Sequence, residues 1–296
     1  MVGKGYQLLD DKTQYGIIIG MEKGGVTMRA AVFSLILMLI LSLSAYAAEK
    51  SRLVICGTGD SQSILREVAP MFEKLHPDVD VDVPDSIGSS GGIRMTAQGR
   101  CDLGRVARPI KKKEEKYNLK YQVFAYSPVV FAANLDGRAS IELTTEEILD
   151  IFKGRVKTWK PFTGIDAPIY VANREPGDSS RRVLEKTLPG WKNIEHFEGK
   201  TIYSTPELVD ILLQNPYTIG YGPYAMLGKK GLSIVAIDGY LPTIENIQRG
   251  DYRPVTPFGI VWKGRLEGRK RDFVEFLFSP QVKELFLKRG LIPAKR

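Results

Sequence analysis

The run Ser86-Ile87-Gly88-Ser89-Ser90-Gly91-Gly92 is too small and flexible to build a core, and it suits a backbone that must wrap around an anion. Its glycines allow close approach and its serines supply hydroxyl donors. The following Ile93-Arg94-Met95-Thr96-Ala97-Gln98 can start a helix whose first amides face the loop. By itself such a turn between strand and helix is ordinary. Two more polar loops share its make-up: Gly57-Thr58-Gly59-Asp60-Ser61, and Arg174-Glu175-Pro176-Gly177-Asp178-Ser179-Ser180 ahead of Arg181 and Arg182. Hydroxyls, helix-opening amides and a planar guanidinium together make a site for an oxyanion. Arg174 is the arginine expected to hold the ligand, because its fork can engage two oxygens at once, and Arg108 is the second candidate. Arg105, Arg181 and Arg182 are expected to supply positive field or solvated helix surface. Tyr221, beside Ile219 and Gly220, reads as core or as cleft lining.

Each loop must be held by a strand before it and a helix after it. Residues 53–56 form a short apolar strand, and Ile64, Leu65, Val68, Met71, Phe72 and Leu75 follow at helical spacing. Val79, Val81 and Val83 alternate into the Ser89-Ser90 loop, and residues 102–106 lead into Ala107-Arg108-Pro109. Alternating units of this kind predict parallel sheets covered by helices, with ligand at the carboxyl ends of the strands. A second region opens near Pro128, runs through a helical pattern at residues 145–152 and reaches a strand at 169–172. An apolar strand at 258–262 and a closing helix at 271–288 return to the first region. The expected division is interwoven: residues 49–127 with 236–296 form one lobe, and 128–235 the other. A cleft between them would let helix dipoles converge on one anion.

The 296-residue chain is 43% hydrophobic and 26% charged, which is globular composition and excludes disordered and fibrous classes. Its net charge of +8 is scattered, with no stripe of basic and aromatic residues, so no nucleic-acid partner is expected; a positive field also gathers small anions. The two histidines, His76 and His196, lie beside no serine-rich loop and read as surface residues at helix ends. No nucleophile with an activating partner and no ligand spacing for a metal is evident, so neither catalysis nor a cofactor is expected. Residues 28–48 read as a secretory signal, with Arg29, an apolar stretch at 30–43 and the cleavage motif Ala45-Tyr46-Ala47. The mature chain then begins at Ala48, without a lipidation cysteine. The acidic and polar residues before Met28 fit no export leader and suggest that translation starts at Met28, so residues 1–47 are set apart as extension plus signal. Export makes a bridge between Cys56 and Cys101 a question. The expectation is no bridge, because Cys56 ends one strand and Cys101 would begin a parallel neighbour, at its opposite end.

These loops, in this order, resemble the solute-binding proteins of ABC-type phosphate importers, over essentially all of the chain after the export signal. The carriers are Gly57-Thr58-Gly59-Asp60-Ser61, Ile87-Gly88-Ser89-Ser90-Gly91-Gly92, Asp102-Leu103-Gly104 through Arg108-Pro109, and Arg174 with Gly177-Asp178-Ser179-Ser180. Ile219-Gly220-Tyr221, and the ending Phe276-Leu277-Phe278-Ser279-Pro280 through Gly290-Leu291-Ile292-Pro293, add to them. The resemblance implies an α/β, two-lobe type II periplasmic-binding-protein fold, each lobe a mainly parallel sheet flanked by helices. It implies a periplasmic monomer that captures inorganic phosphate and delivers it to permease and ATPase subunits. By position it assigns Gly59, Asp60 and Ser61, Ser89 and Ser90, Ala107 and Arg108, and Arg174 to the ligand. Asp178, Ser179 and Ser180 stand where the family usually has Ser-Gly-Thr. Two departures bear on the ligand. Ala107 occupies a position where such proteins often carry the aspartate that accepts the phosphate proton. Asp178 brings a carboxylate into an anion loop, where it either caps the next helix or, like Asp60, restores the missing acceptor. Sulfate, molybdate, tungstate or another anion, and a sensor without a transport role, remain the alternatives.

Overall fold

The computed structural model of the protein describes residues 50–296 apart from 136, 139 and 229; the secretory signal expected at residues 28–48 and the segment ahead of it lie outside the described residues. Strands β1 (Ser51–Gly57), β2 (Val79–Asp82) and β3 (Leu103–Val106) lie parallel in the order β2-β1-β3. Alternation explains β2, whose Val79 and Val81 point inward while Asp80 is exposed. Every residue of β3 is buried, as a strand covered on both faces must be.

The long β4 (Leu119–Ala133) is followed by β5 (Ser140–Leu143), β6 (Tyr170–Arg174), β7 (Lys200–Ile202), β8 (Thr218–Pro223), β9 (Ser233–Ile237), β10 (Val255–Lys263) and β11 (Ile292–Pro293). Parallel pairs β6–β7, β6–β8 and β5–β9 build the second region. The antiparallel pairings all involve β4 or β10. β4 joins the two halves: residues up to Pro128 pair with β10, and Val129–Ala133 pair with β8.

Seven helices of eight residues or more are described: α1 (Gln62–Leu75), α2 (Gly88–Ala97), α3 (Thr145–Phe152), α4 (Ser179–Thr187), α5 (Thr205–Gln214), α6 (Gly268–Phe276) and α7 (Pro280–Lys288). The single closing helix expected at 271–288 is thus two. Ser279 caps α7, accepting from the Val282 N–H, and Pro280 opens it, because proline has no N–H to continue α6.

The apolar side chains gather into two main cores. One unites Leu53, Ile64, Phe72 and Phe124 with Phe258, Phe273 and Phe286. The other centres on Phe131, Phe152, Trp159, Trp191 and Tyr221. Each of these fully buried aromatics contributes roughly 2–3 kcal/mol by leaving water. The buried members of the second core run from Val129 to Tyr252, so the chain passes between cores inside β4 and again ahead of β10.

Two further sequence expectations change here. Cys56 and Cys101 form a disulfide, with Cα atoms 6.1 Å apart. The expected separation assumed that Cys101 lies in a strand, but β3 begins only at Leu103, and Cys101 sits in the bend before it, following left-handed Gly99. The chain there turns back across β1 instead of extending beyond it. The Ser/Gly run, second, is not a loop before a helix: Gly88 to Gly92 already form the first turns of α2. Gly88 is left-handed with open space around it, whereas Gly92 serves packing. A Cβ on Gly92 would stand 2.8 Å from the Gly57 Cα and 3.0 Å from the Cys56 carbonyl oxygen, so only glycine lets α2 lie directly on β1.

Candidate anion-binding site

The carboxyl ends of β1, β2, β3, β6 and β7 lead into a cavity of about 180 Å³. Its wall includes Thr58 and Gly59 after β1, Ser86 to Ser90 where α2 opens, Arg108 after β3, and Arg174, Glu175 and Gly177 to Ser179 where α4 opens. Tyr203, Ser204 and Thr205, where α5 opens, complete it. The amino ends of α2, α4 and α5 therefore meet at one cavity, each with a positive dipole end and N–H groups lacking intrahelical acceptors.

Of the residues expected from sequence, Gly59, Ser89, Ser90, Arg108, Arg174, Asp178 and Ser179 line this cavity. Asp60, Ser61 and Ser180 are buried behind the lining rather than part of it, Asp60 reaching it through Thr205, and one side-chain oxygen of each (Asp60 Oδ2, Ser61 Oγ, Ser180 Oγ) has no hydrogen-bond partner. Buried polar oxygens without partners are costly, at about 1–3 kcal/mol each, unless something supplies the missing bond. Ala107 lines an adjoining pocket instead; its N–H donates to Ser89 Oγ (3.1 Å) and its carbonyl accepts from Thr256.

Arg174, 2% exposed, is the hub. Its Nε donates to the Ile202 carbonyl (3.2 Å), Nη1 to Thr205 Oγ1 (3.0 Å), and Nη2 pairs with Asp178 Oδ2 (2.7 Å). One N–H on each terminal nitrogen is left over, the arrangement that grips an oxyanion bidentately. Arg108 is spent otherwise. Both its terminal nitrogens bind Glu114 (2.7 Å each), and they also donate to Ser90 Oγ and the Pro109 carbonyl. These bonds hold the Glu114 carboxyl below its usual range although burial pushes it up.

Asp178 does what a cap does: its Oδ1 accepts from the Arg181 N–H (3.0 Å) while Oδ2 holds Arg174. Asp60 differs. Its Oδ1 accepts from Thr205 (2.5 Å), a bond between the first and second halves of the molecule. Burial, and then repulsion from Asp178, raise its pKa to about 6 against the pull of Arg174. Burial likewise raises the Glu175 carboxyl. With both lining arginines matched by carboxylates, the cavity attracts through hydroxyls and helix dipoles more than through net charge.

Arg105 corrects the sequence reading. It is fully buried in β3 and donates to the Ile55, Thr58 (2.7 Å) and Pro84 (2.6 Å) carbonyls and to Gln62 Oε1 (3.3 Å). It therefore staples the loop after β1 to the loop after β2. Burial lowers its pKa to about 10, which leaves it cationic at neutral pH. Tyr221 is core: its hydroxyl donates to Asn173 Oδ1 (2.8 Å) and accepts from the Arg174 N–H (3.2 Å), bracing the end of β6. Sequence reasoning missed Tyr203, Ser204 and Thr205. Ser204 and Glu207 stand at capping spacing ahead of the apolar Leu208, Val209 and Leu212, a signal of the same strand–turn–helix kind as the other loops.

Two cores joined by crossing strands, with a cavity walled by loops from both, define the two-lobe type II periplasmic-binding fold. The chain belongs to the PBP superfamily, whose domain matches residues 44–281. It is 28% identical over 258 residues to the phosphate-binding protein PstS of Bacillus subtilis, a match covering 84% of each chain. It is 26% identical over 277 residues to the phosphate-binding protein PstS of Borreliella burgdorferi, covering 89% of this chain and 99% of that one. A phosphate ABC transporter substrate-binding protein of Clostridium perfringens, solved with bound phosphate, matches at 26% identity with a TM-score of 0.71, over 83% of this chain and all of that one.

Proposed function

We propose that this protein captures inorganic phosphate outside the cytoplasm and delivers it to an ABC importer, closing its lobes on the anion. The observation that carries the reading is the set of unpartnered buried oxygens on Asp60, Ser61 and Ser180, in the two segments whose Gly59, Asp178 and Ser179 line a cavity ringed by helix amino ends. Phosphate near neutral pH carries one proton and three acceptor oxygens. The Ser61, Ser89 and Ser180 hydroxyls and the two remaining Arg174 N–H groups donate to those oxygens, and Asp60 Oδ2 accepts the proton. Fully deprotonated sulfate offers that carboxylate only repulsion, so Asp60 takes over the selection that Ala107 cannot make. The names of the relatives support the ligand and the transporter. The Cys56–Cys101 disulfide supports an oxidising compartment, in keeping with the export signal expected at residues 28–48. The lobe proposed to hinge against the remainder, expected from sequence at residues 128–235, is extended here to Tyr252, because Ile237 and Tyr252 pack in its core. The action is binding rather than catalysis.

Calorimetric titration tests this, with phosphate added to protein that has been unfolded and refolded with its disulfide kept oxidised, to strip carried ligand. Tight binding that excess sulfate leaves unchanged is the expected result. Absence of phosphate binding, or its displacement by sulfate, overturns the proposal.

A further inference from the structure

A second pocket of about 340 Å³ adjoins the cavity and shares Arg108 and Ser179 with it. It runs down one face of α4, where Ser179, Arg182, Val183 and Lys186 succeed one another at helical spacing, and its opposite wall is the segment Ala107 to Lys111 after β3. One wall therefore belongs to the first half of the molecule and the other to the second.

The charge of this pocket is unbalanced. Lys111, Arg182 and Lys186 all line it, no acidic side chain does, and none of the three enters an ion pair among the described residues. Arg108, the fourth cation, is already bound to Glu114. Burial, with Arg108 and Arg182 close by, lowers the Lys111 pKa, while Glu114 supports its charge and Lys113 opposes it. Like charges crowded from two sides of a cleft repel each other unless an anion lies between them.

We propose that this pocket is a second oxyanion subsite, in which Lys111 from one lobe and Arg182 and Lys186 from the other hold an acidic group next to the anion in the main cavity. The acidic group is either a separate small oxyanion or the second acidic group of a ligand whose phosphoryl head fills the main cavity. Because its cations come from both lobes, an occupant favours the closed arrangement and tightens binding in the main cavity, and the tightening is reciprocal.

The test uses inorganic phosphate and pyrophosphate at low ionic strength, with the protein and its Lys111→Met/Arg182→Met/Lys186→Met variant. These side chains are partly or largely exposed, so the variant keeps the fold, which circular dichroism verifies. Equilibrium dialysis with phosphate reports stoichiometry. A second, weaker equivalent per chain that the triple variant weakens at least about tenfold supports a separate oxyanion. A single equivalent, together with pyrophosphate affinity at least about tenfold lower in the variant, supports one ligand spanning both sites. A single equivalent with pyrophosphate affinity unchanged between the two proteins overturns the subsite. Thr205→Val, which strips Arg174 and Asp60 of a partner in the main cavity, keeps the two assignments apart: it weakens the tight equivalent directly and the weak one only through the coupling, so a failure of the main-site reading is not mistaken for a failure of this one.

Discussion

Replacing Asp60 by Asn changes its charge while preserving its shape, and it isolates the role of the one buried carboxyl with a free oxygen in the site. The structure raises the pKa of this group from 3.8 to about 6, chiefly by burial. At about 1.4 kcal/mol per pH unit, ionised Asp60 costs the unliganded fold about 3 kcal/mol. The sign follows from proton counting. Between pH 3.8 and 6 the folded chain holds the Asp60 proton more tightly than the unfolded chain does. The stability it supplies is therefore fully present at pH 3.8 and below, and is lost as pH rises through 6. The asparagine variant has no such proton. Urea unfolding of both proteins without ligand, at pH 4 and at pH 7.5, should show the variant gaining about 2 kcal/mol relative to the parent between the two conditions, the rest of the difference lying below pH 4. Any constant cost of the amide cancels in that comparison. The same substitution removes the acceptor proposed for the phosphate proton, so phosphate affinity should fall about 10–100-fold while sulfate affinity rises. A stability difference that is equal at both pH values would refute the electrostatic argument. Unchanged selectivity would refute the functional one.

Reduction of the Cys56–Cys101 bridge, or Cys56→Ser with Cys101→Ser, opens a loop of 45 residues' separation. The chain-entropy estimate is a loss of about 4 kcal/mol, measured as a fall in the urea midpoint. Gly92→Ala places a methyl 2.8 Å from the Gly57 Cα, against backbone that cannot swing aside, so it should destabilise by about 1–3 kcal/mol in thermal unfolding despite the better helix propensity of alanine. Arg105→Met strips the Ile55, Thr58 and Pro84 carbonyls of their buried donor. It should cost about 3 kcal/mol or more in urea unfolding and, in protein still folded by circular dichroism, weaken phosphate binding at least about tenfold by releasing the two loops.

The strand–loop–helix units were legible because their signals are local. Alternating valines, a buried stripe at helical spacing and Ser or Asp caps act over a few residues, so loops at 57–61, 86–92 and 174–180 could be read as one kind of device. The bend that carries Cys101 back to Cys56 was hidden, because left-handed Gly99 leaves no trace in hydropathy. The use of Gly91 and Gly92 was hidden for a related reason: glycine for flexibility and glycine for close packing are the same letter.

Which arginine keeps a free fork is a tertiary matter. Arg174 and Arg108 have the same fork, but Arg108 spends its donors on Glu114, Ser90 and the Pro109 carbonyl, which the segment after β3 and the start of α2 bring to it. Arg105 reads as surface or field, yet the strand it lies in is covered on both faces, so it has only main-chain carbonyls and Gln62 to satisfy. The sequence by itself determined the α/β class, the anion-seeking loops and their attachment to strand ends, since those depend on propensity and periodicity along the chain. The tertiary structure alone decided that Asp60 meets Thr205 across 145 residues, that its second oxygen stays unpaired, and that two walls of cations face each other beside it. Burial, partner geometry and charge crowding belong to distances between segments that no local pattern encodes.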